Sequence, residues 1–358
     1  MKVGIIGLSS VGKSALFQLL TGSPSVPSAG RPEPRLGVAR VPDRRLDVLT
    51  EMYKPRKRTP ASVEYVDVPG VAKGEGAALV DLPALRGVDA LVHVLRAFES
   101  NSVPHPEGSI DALRDAGMLE LELILADLGA VERRLERLEA NIKKANKADD
   151  VAERVVFLKL KDALEAERPL RELELPEEDR RRLRSYSFLT EKPMLLAVNL
   201  GEGGLRDAAS FLASSGLAAF ATRPKLALCP VAAPIEAEIA QLPPEDAGAF
   251  LLDLGLEEPG LDRVIRTSYA LLGLISFLTA GEDECRAWTI RGGTRAQQAA
   301  GAIHSDIERG FIRAEVVAFD DLLASGSLPA CREKGTLRLE GKEYVVRDGD
   351  VINFRFNV

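Results

Sequence analysis

Short apolar runs recur along much of the chain, and each reads as a strand. They fall at 2–6, 36–41, 63–67, 90–95, 194–199 and 226–231. Helical or loop stretches separate most of them. That alternation predicts an α/β fold with ligand-binding loops at the strand carboxyl ends. The stretch 111–187 breaks the pattern, being helical, heavily charged and nearly free of glycine. Within it Leu121, Ile124, Leu128, Val131, Leu135, Leu138 and Ile142 alternate steps of three and four, the spacing of a coiled-coil seam. A polar break at 146–150 then allows a return helix over 151–168. The expectation is an inserted antiparallel pair of helices; a plain charged helical subdomain is the alternative. The charge run at 179–182 reads as a solvated helix face.

Beyond about residue 280 the pattern shortens again. Strands are expected at 288–290 and 310–319 around a helix at 295–307, then at 336–339, 343–346 and 351–358. This is a small β-rich α+β module. The expected division is therefore 1–110 with 188–275 as the α/β domain, 111–187 as the helical arm and 276–358 as the last domain.

Composition narrows the function classes. At 358 residues, 46% hydrophobic and 28% charged, the chain has room for two or three globular domains. Its net charge of -7 argues against coating nucleic acid, so no DNA partner is expected. No secretory leader and no apolar run of spanning length are read, which excludes a membrane role and points to the cytoplasm. Cys229, Cys285 and Cys331 lack metal-ligand spacing and read as free thiols.

The chemistry begins immediately after the first strand. Gly7-Leu8-Ser9-Ser10-Val11-Gly12-Lys13-Ser14 is a complete G-x-x-x-x-G-K-[ST] loop, with Ala15 opening a helix behind it. Its backbone N–H groups can cradle phosphates, Lys13 can reach the β- and γ-phosphates, and the Ser14 hydroxyl can ligand Mg2+. The third strand ends in Asp67-Val68-Pro69-Gly70. In a phosphate-loop NTPase such an aspartate holds Mg2+ through water, and the glycine N–H faces the γ-phosphate. Val71 follows, where signalling GTPases carry a water-orienting glutamine, so hydrolysis must use another group or be slow. The fifth strand ends in Asn199-Leu200-Gly201-Glu202, where a guanine-reading site would need an aspartate. These residues predict a nucleoside triphosphate ligand and leave the purine open.

Longer stretches carry a resemblance. Beside the motifs above stand Lys73-Gly74, Val92-His93-Val94, Ile235-Glu236-Ala237-Glu238, Phe277-Leu278-Thr279-Ala280-Gly281, Arg286-Ala287-Trp288-Thr289, Gln298-Ala299-Ala300-Gly301, Gly310-Phe311-Ile312-Arg313-Ala314-Glu315 and Asp348-Gly349-Asp350. Over its whole length the chain resembles the YchF, or Obg-like ATPase, family. The resemblance implies a GTPase-like nucleotide domain, a coiled-coil arm and a C-terminal TGS domain. It implies Mg-dependent ATP hydrolysis, with Asn199, Leu200 and Glu202 at adenine and Ala232 and Ala233 in the last nucleotide loop. It also implies a catalytic histidine at His105, assisted by Lys13 and the Gly70 N–H, and a ribosomal or ribosomal-RNA partner. An ordinary loop role for His105 stays open, and His93 reads as structural.

Two positions depart from the family pattern. Ser9-Ser10 replaces Pro-Asn, which puts monovalent-cation use in question, and Arg31 (or, with a shifted loop, Ser28) stands at the switch threonine. Rival readings are a GTP-binding protein or GTPase, and an ATP-gated ribosome-binding switch with negligible turnover.

Overall fold

Residues 1–23, 34–68, 82–100 and 103–357 are described by the computed structural model, apart from the side chains of Leu82, Glu202, Pro244 and Glu245. The chain divides into two compact units, Met1–Val38 with Glu64–Leu271 and Ala39–Val63 with Leu272–Val358. In chain order the elements up to residue 165 are β1 (Lys2–Ile6), α1 (Lys13–Thr21), β2 (Arg35–Arg40), α2 (Arg44–Tyr53), β3 (Lys57–Thr59), β4 (Ser62–Asp67), α3 (Leu82–Arg86), β5 (Ala90–Ala97), α4 (Ala112–Ala145) and α5 (Ala148–Glu165). The strands β6 (Met194–Leu200) and β7 (Leu226–Val231) follow.

Among the described residues the first sheet has the order β2-β4-β1-β5-β6-β7 and takes in all six runs read as strands. The pairings β1 with β4, β1 with β5, β5 with β6, and β6 with β7 are parallel. β6 is buried at every position and β5 at all but its last. Covering both faces requires unbroken apolar sequence, which is why these segments read as runs rather than alternations.

The arm is built by α4 and α5, joined by a two-residue turn in which Asn146 adopts the left-handed conformation and donates to Ile142 O. α5 therefore starts three residues earlier than the polar break suggests. Ile124, Val131, Leu135 and Leu138 pack with Val156, Phe157, Leu160 and Leu164. The seam does not extend to Leu121, which is 39% exposed. The first turns of α4 bury Ala116, Leu119 and Leu123 in the core of the parallel sheet instead, so a different face of the helix is apolar there.

Polar groups fasten this root. The buried Asp127 carboxylate accepts the N–H groups of Leu189 and Thr190 at 3.0 and 2.8 Å, and the Thr190 hydroxyl at 2.8 Å. Glu120 of α4 pairs with the fully buried Arg171 and, at 2.5 Å, with Arg223, which also holds Glu172 at 2.5 Å.

The second unit is a sheet of order β11-β10-β12-β8-β9-β3 among the described residues, with β8 (Leu274–Thr279), β9 (Glu284–Arg291), β10 (Phe311–Ala318), β11 (Arg338–Glu340) and β12 (Asp350–Phe356). Its core gathers Phe277, Phe311 and Phe354, with the first and last rings edge to face at 5.8 Å. β3 joins from far upstream, running parallel to β9 with Lys57 opposite Glu284. Arg45 of α2 forks between Asp43 at 2.9 Å and Asp348 at 2.8 Å, and Asp348 also accepts the Ser276 N–H. The expected strand at 343–346 is absent among the described residues, apart from a single bridge from Val345 to Arg295. Its backbone is engaged elsewhere: Tyr344 O accepts the Ala296 N–H and the Val346 N–H reaches Thr294 O. The expected helix at 295–307 is two, Ala296–Ile303 and Ser305–Arg309, with the His304 ring capping the second. All three cysteines are free and buried, and no helix among the described residues is long and apolar enough to cross a membrane.

His93 sits in β5 between Ile6 and Leu196, fully buried, with neither ring nitrogen hydrogen-bonded. Burial, reinforced by the Lys13 charge, pushes its pKa down to about 3. The folded state therefore keeps the ring neutral while the unfolded chain takes up a proton below about pH 6.5. Stability should fall with acidification from that point, by about 1.4 kcal/mol per pH unit for this one group. Denaturant unfolding at stepped pH should show a shallower acid limb, by about one proton, in His93→Leu. An identical limb in both proteins would refute this origin.

Candidate nucleotide site

β1 delivers the loop that follows it to the carboxyl edge of the sheet. Gly7 has φ +146°, and a Cβ there would lie 2.5 Å from Val94 O; Gly12 has φ +102°, and a Cβ would lie 2.5 Å from Asn199 Nδ2. Both positions therefore exclude side chains. Between them Ser10 is left-handed at φ +61°, a conformation that suits serine less well than asparagine. The loop runs through Ser9, Ser10 and the buried Val11 into α1, where Ala15 is exposed.

Lys13 is turned inward. Its Nζ donates to Gly7 O at 2.9 Å and Leu8 O at 2.5 Å. Burial lowers its pKa to about 8, although the Asp67 charge pulls the other way. Ser14 Oγ donates to Asp67 Oδ2 at 3.1 Å, and Arg35 forms an ion pair with the same oxygen. A hydroxyl and a carboxylate side by side form a hard oxygen donor set, and the Asp67 carboxylate already carries a cationic partner. These residues fit Mg2+, which binds through few protein oxygens and completes its shell with phosphate and water.

Asn199, the penultimate residue of β6, ties two loops together. Its Nδ2 donates to Val11 O at 3.0 Å, and its Oδ1 accepts the Ala233 N–H at 3.2 Å. Ala232 is buried and precedes the helix Ala233–Ile239. Beside this clamp opens a cavity of about 840 Å³ lined by Gly12, Ala15, Leu200, Gly201 and Ala233, together with Gln18, Leu19, Phe98, Glu99 and Pro234. Sequence reasoning missed this second group. Phe98 lies just beyond the carboxyl end of β5, where the strand-end rule for ligand loops points.

His105 is neither exposed nor free. Its side chain is 3% exposed, Nε2 lies 3.0 Å from Asp115 Oδ2 of α4, and Nδ1 accepts the Glu107 N–H. The buried Arg96 straps the same loop by donating to Phe98 O at 3.1 Å and Val103 O at 2.8 Å. Gly70, Val71, Lys73-Gly74, Ser28 and Arg31 lie outside the described residues, as does the Glu202 side chain.

Two family models match the chain. One, described as a 50S ribosome-binding GTPase, covers residues 2–200, and YchF-GTPase_C, described as a protein of unknown function, covers residues 274–357. The protein named Ribosome-binding ATPase YchF from Bacillus subtilis (strain 168) is 44% identical over 100% of both chains. The chain belongs to the YchF family. Obg-like ATPase 1 of Oryza sativa subsp. japonica is 36% identical over 100% of this chain and 92% of its own. The solved Schizosaccharomyces pombe YchF GTPase is 32% identical with a TM-score of 0.86, over 99% of this chain and 97% of that one. The α/β nucleotide fold of this YchF-family chain, a P-loop domain followed by a β-rich one, thus rests on sequence and structure together, and the chain is a nucleotide hydrolase by family.

Both ends of the Asn199 amide are engaged by backbone, so in this YchF-family chain it ties two loops together. Asn199→Ala should weaken ATP and GTP binding alike, by about tenfold. Titration with the two nucleotides checks this, and a loss confined to one base would show that Asn199 reads it.

Proposed function

We propose that this chain is a Mg-dependent ATPase that hydrolyses ATP to ADP and phosphate and acts as a nucleotide switch on the ribosome. The observation that carries this reading is the convergence of Lys13, Ser14 and Asp67 at the loop 7–14, whose Gly12, with Ala15 of the helix behind it, also lines the cavity of about 840 Å³. The triphosphate would lie along the loop 7–14, drawing Lys13 from the Gly7 and Leu8 carbonyls onto the β- and γ-phosphates. Ser14 and Asp67 would hold Mg2+, which supplies charge neutralisation at those phosphates. Gly70 would offer its N–H to the γ-phosphate. Leu200, Ala232, Ala233 and Glu202 would border the base, with Asn199 fixing the loops around it. Water attacks the γ-phosphorus in line with the departing ADP oxygen; the proton it loses ends in solvent or on phosphate.

Turnover by the isolated protein should be slow, because Val71 cannot orient water and His105 is engaged with Asp115. That pairing favours a second reading, an ATP-gated ribosome-binding switch with negligible turnover. If His105 is catalytic, its loop must leave Asp115 first. The ribosomal partner follows from the names of the relatives, and the arm of α4 and α5 and the C-terminal unit, read as a TGS domain, are the surfaces offered to it.

Relatives are named both ATPase and GTPase, so base preference is the deciding measurement. Titration in Mg2+ should give at least tenfold tighter binding of ATP than GTP, about 1.4 kcal/mol. Equal affinity or a GTP preference would remove the ATPase reading. Single-turnover hydrolysis with and without ribosomes should show a chemical step accelerated by the ribosome; background rates in both would leave the binding switch.

A further inference from the structure

Asp67 Oδ2 receives two donors at once, the Ser14 hydroxyl at 3.1 Å and a guanidinium nitrogen of Arg35. The sheet itself brings this pair together. Arg35 is the first residue of β2, Asp67 the last of β4, and the strands are neighbours. Phe17 of α1 supports the contact, with Arg35 Cζ 5.3 Å from its ring centroid, a cation–π distance. The two partners differ in exposure: the Asp67 side chain is 7% exposed and that of Arg35 33%. The carboxylate is therefore fixed in the site, while the guanidinium reaches it from the rim and can withdraw without opening the core. Lys13, the other cation nearby, is bonded to Gly7 O and Leu8 O and donates nothing to Asp67. Among the described residues Arg35 is thus the cation that pairs directly with this buried carboxylate.

We propose that Arg35 is an exchangeable counter-cation for the metal-site carboxylate: it neutralises Asp67 before Mg-nucleotide binds and gives up the carboxylate to Mg2+ when it does. This rests on the reading of Ser14 and Asp67 as the Mg2+ site. Two consequences act in the same direction. Without Mg2+, Arg35 screens the arriving phosphates from the Asp67 charge, so triphosphate binding survives chelation. With Mg2+, the ion must first displace a guanidinium, so the gain in affinity from the metal is smaller than at an unpaired carboxylate. Removing Arg35 should raise the dependence of nucleotide binding on Mg2+ by about two- to fivefold, the scale of a partly exposed ion pair.

The test is a fluorescence titration of wild type, Arg35→Gln and Arg35→Lys with ribose-labelled ATP, once in EDTA and once in Mg2+. The quantity read is the ratio of the two dissociation constants. It should rise about two- to fivefold in R35Q and stay near the wild-type value in R35K, which keeps the charge. A purely structural staple between β2 and β4 would change thermal unfolding but not this ratio. An unchanged ratio in R35Q, or an equal rise in R35K, overturns the proposal.

A measurement on wild type alone covers a variant that does not fold. The Arg35 side-chain 15N–H signal should be protected from water exchange with ATP in EDTA and lose that protection on adding Mg2+. Protection retained with Mg-ATP overturns the exchange. Failure of wild type to bind labelled ATP under either condition would instead sink the nucleotide reading on which the proposal stands.

Discussion

In a parallel sheet each strand delivers its carboxyl end to the same edge, and here that register sets the rest. Ile5 of β1 lies opposite Asp67 of β4 and Val92 of β5, so the phosphate loop emerges beside the Asp67 carboxylate. Asn199 of β6 lies opposite Val231 of β7, which brings its amide within reach of Ala233. The site needs no special fold of its own. It is the place where five neighbouring strands end together, and each contributes one loop or one side chain.

Among the described residues the charged groups of that edge face one another or the backbone. Lys13 is satisfied by loop carbonyls and Asp67 by Ser14 and Arg35, while His105 Nε2 lies 3.0 Å from Asp115 Oδ2. On the function proposed above, nucleotide binding would be an exchange of partners. Each protein group that turns to phosphate or metal abandons an internal one, and the net affinity is the difference between the two sets. Asn199 and Arg96 differ in kind, because their bonds run to backbone and so shape the loops themselves.

Much of this was legible in the sequence for a physical reason. Strands buried on both faces must be apolar throughout, so β5 and β6 announce themselves, and the phosphate loop is local, needing only its own eight residues. The features that escaped are those defined by distant partners. Lys57-Arg58-Thr59 carries no periodicity and becomes a strand only because β9 offers an edge. Residues 343–346 carry Tyr344 and two valines, which favour strands, yet their backbone bonds run to the start of a helix. The burial of His105 depends on Asp115, one turn into a helix that sequence reading treated as part of the arm. Leu121 obeys the heptad but lies where α4 packs on the sheet rather than on α5. Phe98 carries no motif, and only its position past a strand end marks it.

The root of the arm has a mechanical consequence. α4 is 34 residues long, a rod of about 50 Å, and its first third is buried in the nucleotide-binding unit. Asp127 grips the backbone at 189–190, four residues ahead of β6, and Glu120 is locked between two arginines. Fixed this way, the helix is a lever with its fulcrum against β5. A tilt of about 2° at the fulcrum moves the far end, about 35 Å beyond the buried third, by about 1 Å. Displacements too small to break any contact at the root would thus arrive enlarged at the tip.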